Sequence, residues 1–403
     1  MTVLIERRAE PADLAPPVAA SPPVIQLFLA FLRLGATAFG GPAMVAHIRV
    51  LAVEKRRWLD ETDFRNGVAL CQTVPGATAM QTAAYVGLRA RGIPGGLAAY
   101  VGFGCPAFCL MLALTALYLR ARTLPVTIEF FGGMKAVVVA LIASAACTFA
   151  LSSVRSWRAA TVAGAAALAL TWRVHPIVVI AACGLVGAWW LKTPDSPSES
   201  GAGPPRQTQW LRPTLALVGA VLGGVAILSW LDRGLYELAV TMIRVDLLAF
   251  GGGFASVPLM QHEITAVRGW MDSQTFMDGI ALGQVTPGPI VITATFVGFV
   301  VRGLAGAVVA TLSIFAPSFI VVAIVTPHFN RLQRQAAFRG ATAGALLSFV
   351  GLLASVAVRF AVETPWGVTT TAIALAAFVA FRRKVDVLWI ILAGAIVSLM
   401  SAI

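Results

Sequence analysis

Residues 33–42 read RLGATAFGGP, and residues 244–253 read RVDLLAFGGG. The two segments lie 211 residues apart, and each sets an arginine six residues ahead of Phe-Gly-Gly. The match continues outward. Trp58, Asp60, Phe64, Gly67, Leu70, Gln72, Pro75 and Gly76 recur as Trp270, Asp272, Phe276, Gly279, Leu282, Gln284, Pro287 and Gly288. Gly87, Arg91, Gly92, Gly95, Pro106 and Phe108 recur as Gly298, Arg302, Gly303, Gly306, Pro317 and Phe319. The offset changes by one residue between blocks, so a single unit has been duplicated.

The 403 residues are 58% hydrophobic and 12% charged, with mean hydropathy +0.84. A soluble domain carries about 25% charged residues, and one globular core cannot hide this much apolar surface, so lipid is the solvent. Apolar runs without strand alternation can satisfy their backbone in lipid only as helices. Candidate spans fall near 24–46, 66–90, 95–119, 133–153, 157–172 and 174–191, then near 213–230, 236–260, 276–300, 303–326, 337–359, 366–381 and 385–402. The expected fold is therefore an all-α polytopic membrane protein of about 13 transmembrane helices. It divides into a tail (1–23), a first repeat (24–191), a polar linker (192–212), and an extra helix plus second repeat (213–403). Seven spans separate the two repeat starts. An odd number gives the halves inverted topology.

The formal charge of +12 is spread over loops, which fits contact with anionic lipid and not nucleic acid. With the N-terminus cytoplasmic, inner segments collect about 16 Lys and Arg and outer ones about 11. The loop from Arg49 to Arg65 dissents, because it falls on the outer side with Lys55, Arg56, Arg57 and Arg65. Cys71, Cys105, Cys109, Cys147 and Cys183 form no CxxC and read as small core residues. No metal or cofactor is expected, and the absence of GxxxxGK[ST] argues against an ATP-driven pump. A homodimer is compatible with the sequence but not specified by it.

Arg33 and Arg244 sit inside apolar runs, where a charge costs about 2.5–3.5 kcal/mol on insertion scales. A guanidinium cannot escape by losing its proton, and its planar fork suits an oxyanion. Phe39-Gly40-Gly41-Pro42 and Phe250-Gly251-Gly252-Gly253 follow. Consecutive glycines weaken a helix and expose amides, and a broken helix at membrane depth is tolerated only where it is buried or lines a wet cavity. Gln72, Pro75 and Gly76, matched by Gln284, Pro287 and Gly288, break the next span. Close helix packing through small residues and a simple proline kink remain the competing readings of these glycines and prolines. Candidates for a coupling group are Asp246, Lys135, His47, His262 and Glu263.

These residues resemble the chromate ion transporter family in its long, two-domain form. The resemblance is carried by Phe-Gly-Gly-Pro at 39–42, Phe-Gly-Gly-Gly at 250–253 and Gln-x-x-Pro-Gly at 72–76 and 284–288. It implies a carrier in the bacterial inner membrane that exports chromate, confers chromate resistance and shares some recognition with sulfate. The implied substrate-site positions are Arg33, Phe39, Gly40, Gly41, Pro42, Gln72, Pro75 and Gly76, with their second-repeat partners. Gly253 standing where Pro42 stands in the first repeat breaks strict equivalence. A sulfate or other small-anion transporter, a channel and an intramembrane enzyme are the alternatives, the last disfavoured by the absence of HExxH and GxSxG.

Overall fold

The computed structural model describes residues 21–39, 41–172, 174–191 and 208–402. Most of the expected tail, Gly40 and most of the expected linker lie outside the described residues. The first half comprises α1 (Val24–Thr37), α2 (Gly41–Arg49) with a π-helical continuation (Val50–Lys55), α3 (Glu61–Thr73), α4 (Thr78–Ala121), α5 (Pro125–Ser153), α6 (Trp157–Thr171) and α7 (Pro176–Trp190). Then α8 (Thr208–Leu231) leads into the second half. That half comprises α9 (Arg233–Leu248), α10 (Gly253–Gln261) with a π-helical continuation (His262–Val267), α11 (Ser273–Val285), α12 (Thr293–Val325), α13 (Phe329–Gln333), α14 (Ala336–Glu363), α15 (Val368–Arg382) and α16 (Val387–Ala402). No strand occurs among the described residues. The chain is thus an all-α polytopic membrane protein, built from two homologous halves with helices broken at Gly and Pro.

The apolar segments expected from the sequence are present as helices, but at the breaks the chain also turns back. Helix α1 has 14 residues, a rod of about 21 Å that falls short of a ~30 Å hydrocarbon core. Three contacts show where its continuation goes. The Arg91 guanidinium donates to the Pro22 carbonyl at 2.9 Å. Arg89 pairs with Asp63 at 2.6 Å, and Arg49 pairs with Glu61 at 2.8 Å. The outer ends of α1, α2, α3 and the first arm of α4 therefore share one face of the protein. Two re-entrant hairpins result, with tips at Ala38–Phe39 and Pro75–Gly76. The second closes through Gly67, whose absent Cβ leaves room for the Tyr85 ring.

At Arg91 and Gly92, α4 leaves helical geometry, and Gly92 takes φ +63°. The chain doubles back there, so Gly87 lies against the Gly95 carbonyl, and the second arm runs on to Ala121. The second half repeats this plan. Arg302 and Gly303 form the same turn. Arg268 pairs with Glu237 at 2.8 Å, which ties the two outer ends of the first hairpin together. Gly279 takes the Phe296 ring as Gly67 takes Tyr85.

Helix α8 fixes the relation between the halves. Its start is on the first face, where Trp210 Nε1 lies 3.6 Å from the position a Gly92 Cβ would take. Trp210–Leu231 is long and apolar enough to cross a membrane. Just past its end, Asp232 stands 3.9 Å from Arg302. The second half therefore begins on the opposite face, and the topology is inverted. The parity has a different origin from the one expected. The hairpins do not cross, and the rods between the repeats are the second arm of α4, then α5, α6, α7 and α8, still an odd number. This also removes the charge conflict. Because the first hairpin returns to the face it left, Lys55, Arg56, Arg57 and Arg65 lie on the same face as Pro22 and not across the membrane from it.

One continuous core joins the halves, with Phe31, Phe103, Phe276, Phe296 and Phe360 fully buried in it. A satellite core fills the space between α6, α7 and α14, where Gly187 approaches Gly340 and Gly344 backbone to backbone. Of the cysteines expected inside, Cys71 and Cys183 are buried, while Cys109 and Cys147 are exposed on outward faces. Apolar helix faces that would point to water in a soluble protein point here to lipid, so a small thiol is tolerated on either side.

The inversion can be checked with two single cysteines in a background lacking Cys109 and Cys147. Arg56→Cys and Arg233→Cys, both exposed, are expected to react with an impermeant maleimide from opposite sides of sealed vesicles. Labelling of both from one side would contradict it.

Candidate functional site

The hairpin tips of the two halves meet. The Gly76 N–H donates to the Ala249 carbonyl at 2.9 Å, and the Gly288 N–H donates to the Ala38 carbonyl at 3.1 Å. Ala38 and Ala249 are repeat equivalents, as are Gly76 and Gly288. The second tip of each half is thus bonded to the first tip of the other. Each bond satisfies a carbonyl at the C-terminal end of α1 or α9, which the helix itself leaves open. Gly76 and Gly288 take φ +120° and +116°, a region closed to residues with a Cβ. Side chains pack closely on the glycines at the rest of the crossing. Thr78 Oγ1 lies 3.0 Å from where a Gly252 Cβ would be, and Ile290 and Val291 lie 3.2 Å from that of Gly253.

Four helical segments begin at this crossing: α2, α4, α10 and the Ile290–Ile292 turn that opens α12. The caps of the last three, Ala77, Gly252 and Pro289, contribute no side-chain cap. The outer ends behave differently. Asp60 caps α3 through the Asp63 N–H, Asp272 caps α11 through the Thr275 N–H, and Asp232 caps α9 through two N–H groups. A carboxylate cap at the centre would compete with a bound anion. Without one, the positive ends of the helices and their first amides stay available to an anion.

The expected site residues distribute around this centre. Gly76, Pro287, Gly288 and Gly252 are buried at the tips, and Phe39, Phe250, Pro75, Gly251, Gly253 and Gln284 are half-buried. Gly41 and Pro42 open α2, and Gly40 lies outside the described residues. Arg33 and Gln72 are exposed. Arg33 has no carboxylate partner among the described residues, and Thr37, one turn on, donates back to its carbonyl at 3.1 Å. An unpaired guanidinium at membrane depth is tolerated where it faces a wet crevice and not hydrocarbon.

Arg244 is also exposed, and it lines a small, partly open pocket with His262 and Glu263 of its own half and His175 of the first. The His175 and His262 rings meet edge-on at 5.1 Å, and His175 Nε2 stands 3.8 Å from Glu263 Oε1. Three residues that the sequence nominated separately thus share one cavity. His47 is exposed and does not line it. His175 was missed because it lies in a loop between two short apolar helices, and the second repeat has Asp386 at the equivalent place, so no matched residue marks it.

Two further groups are buried. Asp246 accepts from the Ser318 hydroxyl, at 2.8 Å from both carboxylate oxygens. Lys135 Nζ stands 3.4 Å from Asp278 Oδ1, an ion pair without hydrogen-bond geometry, and the Tyr118 hydroxyl donates to Asp278 Oδ2 at 2.9 Å. This triad ties α4 and α5 of the first half to α11 of the second. On the outer face, the Arg49 guanidinium bonded to Glu61 holds that carboxyl below its ordinary range.

Two inverted, homologous halves whose discontinuous helices meet at their tips define a polytopic protein of the transporter class. A family model described as Chromate transporter matches residues 25–188 and again 236–399, one match to each half. The chain belongs to the chromate transporter family. It is 39% identical over 374 residues to an uncharacterized transporter of Methanocaldococcus jannaschii, covering 92% of this chain and 93% of that protein. It is 31% identical over 386 residues to the chromate transport protein of Pseudomonas aeruginosa, covering 92% and 90%. The chromate transport protein of Cupriavidus metallidurans is 29% identical over 364 residues, or 84% of each chain. These relatives are described as transporters or transport proteins. No solved structure matches the chain.

Removing one partner of the Lys135–Asp278 pair strands a nearly buried charge, at a cost of about 3–5 kcal/mol. Lys135→Ala and Asp278→Ala are each expected to lower the melting temperature in detergent, and the double variant to recover much of the loss. Strictly additive losses would show that the pair contributes nothing as a pair.

Proposed function

We propose that the protein is a secondary transporter that moves chromate out of the cytoplasm across a bacterial inner membrane, and so confers chromate resistance. The observation that carries the reading is the reciprocal contact of inverted hairpin tips. One set of tips is reached from each face, and each set leaves uncapped helix N-termini at the crossing. Chromate is a tetrahedral dianion with only acceptor oxygens, so it needs donors and positive field. Amides at the tips, with Arg33 reached from one face and Arg244 from the other, supply both. Rocking of one half against the other would expose the crossing to each face in turn, which is alternating access.

The face shared by Pro22, Arg49, Lys55, Arg56, Arg57 and Arg65 is the cytoplasmic one in this reading, since short loops rich in Lys and Arg stay inside. The chromate transport proteins among the relatives support chromate as the substrate. Sulfate matches it in charge and shape and is the natural competitor.

Uptake of radiolabelled chromate into inverted vesicles tests the reading directly. Arg33→Ala and Arg244→Ala each lose charge-assisted hydrogen bonds worth about 1.5–3 kcal/mol, so flux is expected to fall about tenfold or more at unchanged membrane expression. Normal flux in both variants would remove the arginines from the site, and equal flux without saturation would favour a channel.

A further inference from the structure

Asp246 and Ser318 occupy a place where the two halves differ although their frames agree. Ser318 corresponds to Ala107 and Asp246 to Gly35. Both small partners make the equivalent contact. The Ala107 Cβ stands 2.8 Å from where a Gly288 Cβ would be, and Ser318 Oγ stands 2.0 Å from that of Gly76. In the first half no carboxylate can enter, because a Cβ on Gly35 would meet the Phe103 carbonyl at 2.2 Å. In the second half the same position holds Asp246, buried. An apolar Gly–Ala pair under one tip contact is therefore matched by an acid and a hydroxyl under the other.

Asp246 is 1% exposed. It lies one turn before the tip, and its own carbonyl accepts the Ala249 N–H at 3.1 Å. Ser318 is its single side-chain donor among the described residues, reaching both oxygens with one proton. The other groups facing the cluster are Tyr100 of α4, whose hydroxyl is committed to the Phe315 carbonyl at 2.8 Å, and Cys71 of α3, which is buried. Gln81 reaches the same tip through the Pro75 carbonyl. Among the described residues no Lys, Arg or His pairs with Asp246. A dry carboxylate with one shared donor is costly, whereas a protonated carboxyl can donate to Ser318 Oγ and accept from it in turn. The closed crossing therefore suits the neutral acid, and the ionised acid calls for water, which enters only if Gly76 and Ala249 part.

We propose that Asp246, read through Ser318, is the proton site of the carrier, and that its protonation licenses closure of the Gly76–Ala249 contact. The proton arrives from water on the side to which the crevice is open, rides as the carboxyl O–H through the closed crossing, and leaves to water on the other side. One such site per chain gives one proton per cycle through this position. The proposal rests on the transport reading, and its test separates the two.

Purified protein in lipid vesicles would be followed by chromate flux, by a trapped pH dye and by infrared titration of protonated carboxyl. Asp246→Asn is expected to lose uphill chromate flux driven by a pH gradient, and the proton movement that goes with it, while keeping chromate–chromate exchange. The wild-type rate is expected to change about tenfold per pH unit on one limb, as a single titrating group requires, and the variant to be flat. Ser318→Ala keeps the carboxyl and is expected to displace both the pH profile and the infrared midpoint. Gradient-driven flux in Asp246→Asn, or an unmoved profile in Ser318→Ala, overturns the proposal. The infrared band, expected in the wild type and lost in Asp246→Asn, reads the site without substrate. Its presence in a wild type that moves no chromate would sink the transport reading and leave the proton site standing.

Discussion

The arrangement depends on two backbone hydrogen bonds exchanged between hairpin tips. A rod that stops partway through a bilayer ends with amides and carbonyls that water cannot reach, and each unsatisfied group there costs several kcal/mol. The Gly76 and Gly288 amides meet the Ala249 and Ala38 carbonyls, so every tip that ends a rod finds its partner on the other half. Much of the local sequence follows from that constraint. Proline ends the rod, and glycine takes the positive φ that aims its amide across the crossing. Small residues then let backbone approach backbone, and the second copy must be inverted so that tips come from both faces.

The duplication, the membrane class and the break points were legible in the sequence, because glycine and proline at matched positions report backbone geometry directly. The reversal at each break was not. A fourteen-residue apolar run followed by Phe-Gly-Gly reads as a kinked span, and only the pairing of Arg91 with Pro22 and of Arg89 with Asp63 shows that the chain returns to the face it left. Those pairs join residues far apart in sequence, and no local pattern announces them. The Arg49–Arg65 loop did carry a hint, since its basic charge sat on the wrong side of the expected topology.

At the site, the sequence singled out the residues that shape the tips better than those that do chemistry around them. Arg244, His262 and Glu263 were nominated separately and share a pocket, but His175, which completes it, comes from the other half. Ser318 was hidden because it is an ordinary small residue inside α12. The signal that could have found it is a difference: Ser318 faces Asp246 at positions where the first repeat has Ala107 and Gly35. Where a duplicated frame is preserved and only its chemistry changes, the change is the better guide to function.

The crossing itself is tested most directly by a disulfide between Thr78→Cys and Gly252→Cys, with size-exclusion of the single Gly252→Cys variant showing that it stays folded, because Gly252 takes φ +95° and a cysteine there costs about 1–3 kcal/mol of backbone strain. The Thr78 Cβ lies 3.9 Å from the position of a Cβ on residue 252, inside the range of about 3.5–4.5 Å that a disulfide spans. With a protease site inserted between residues 192 and 207, the two halves are expected to stay joined after cleavage and oxidation, and to separate on adding reductant. Halves that separate under every oxidising condition, while single-cysteine controls show both thiols reactive, would contradict a crossing of tips at the centre of this protein.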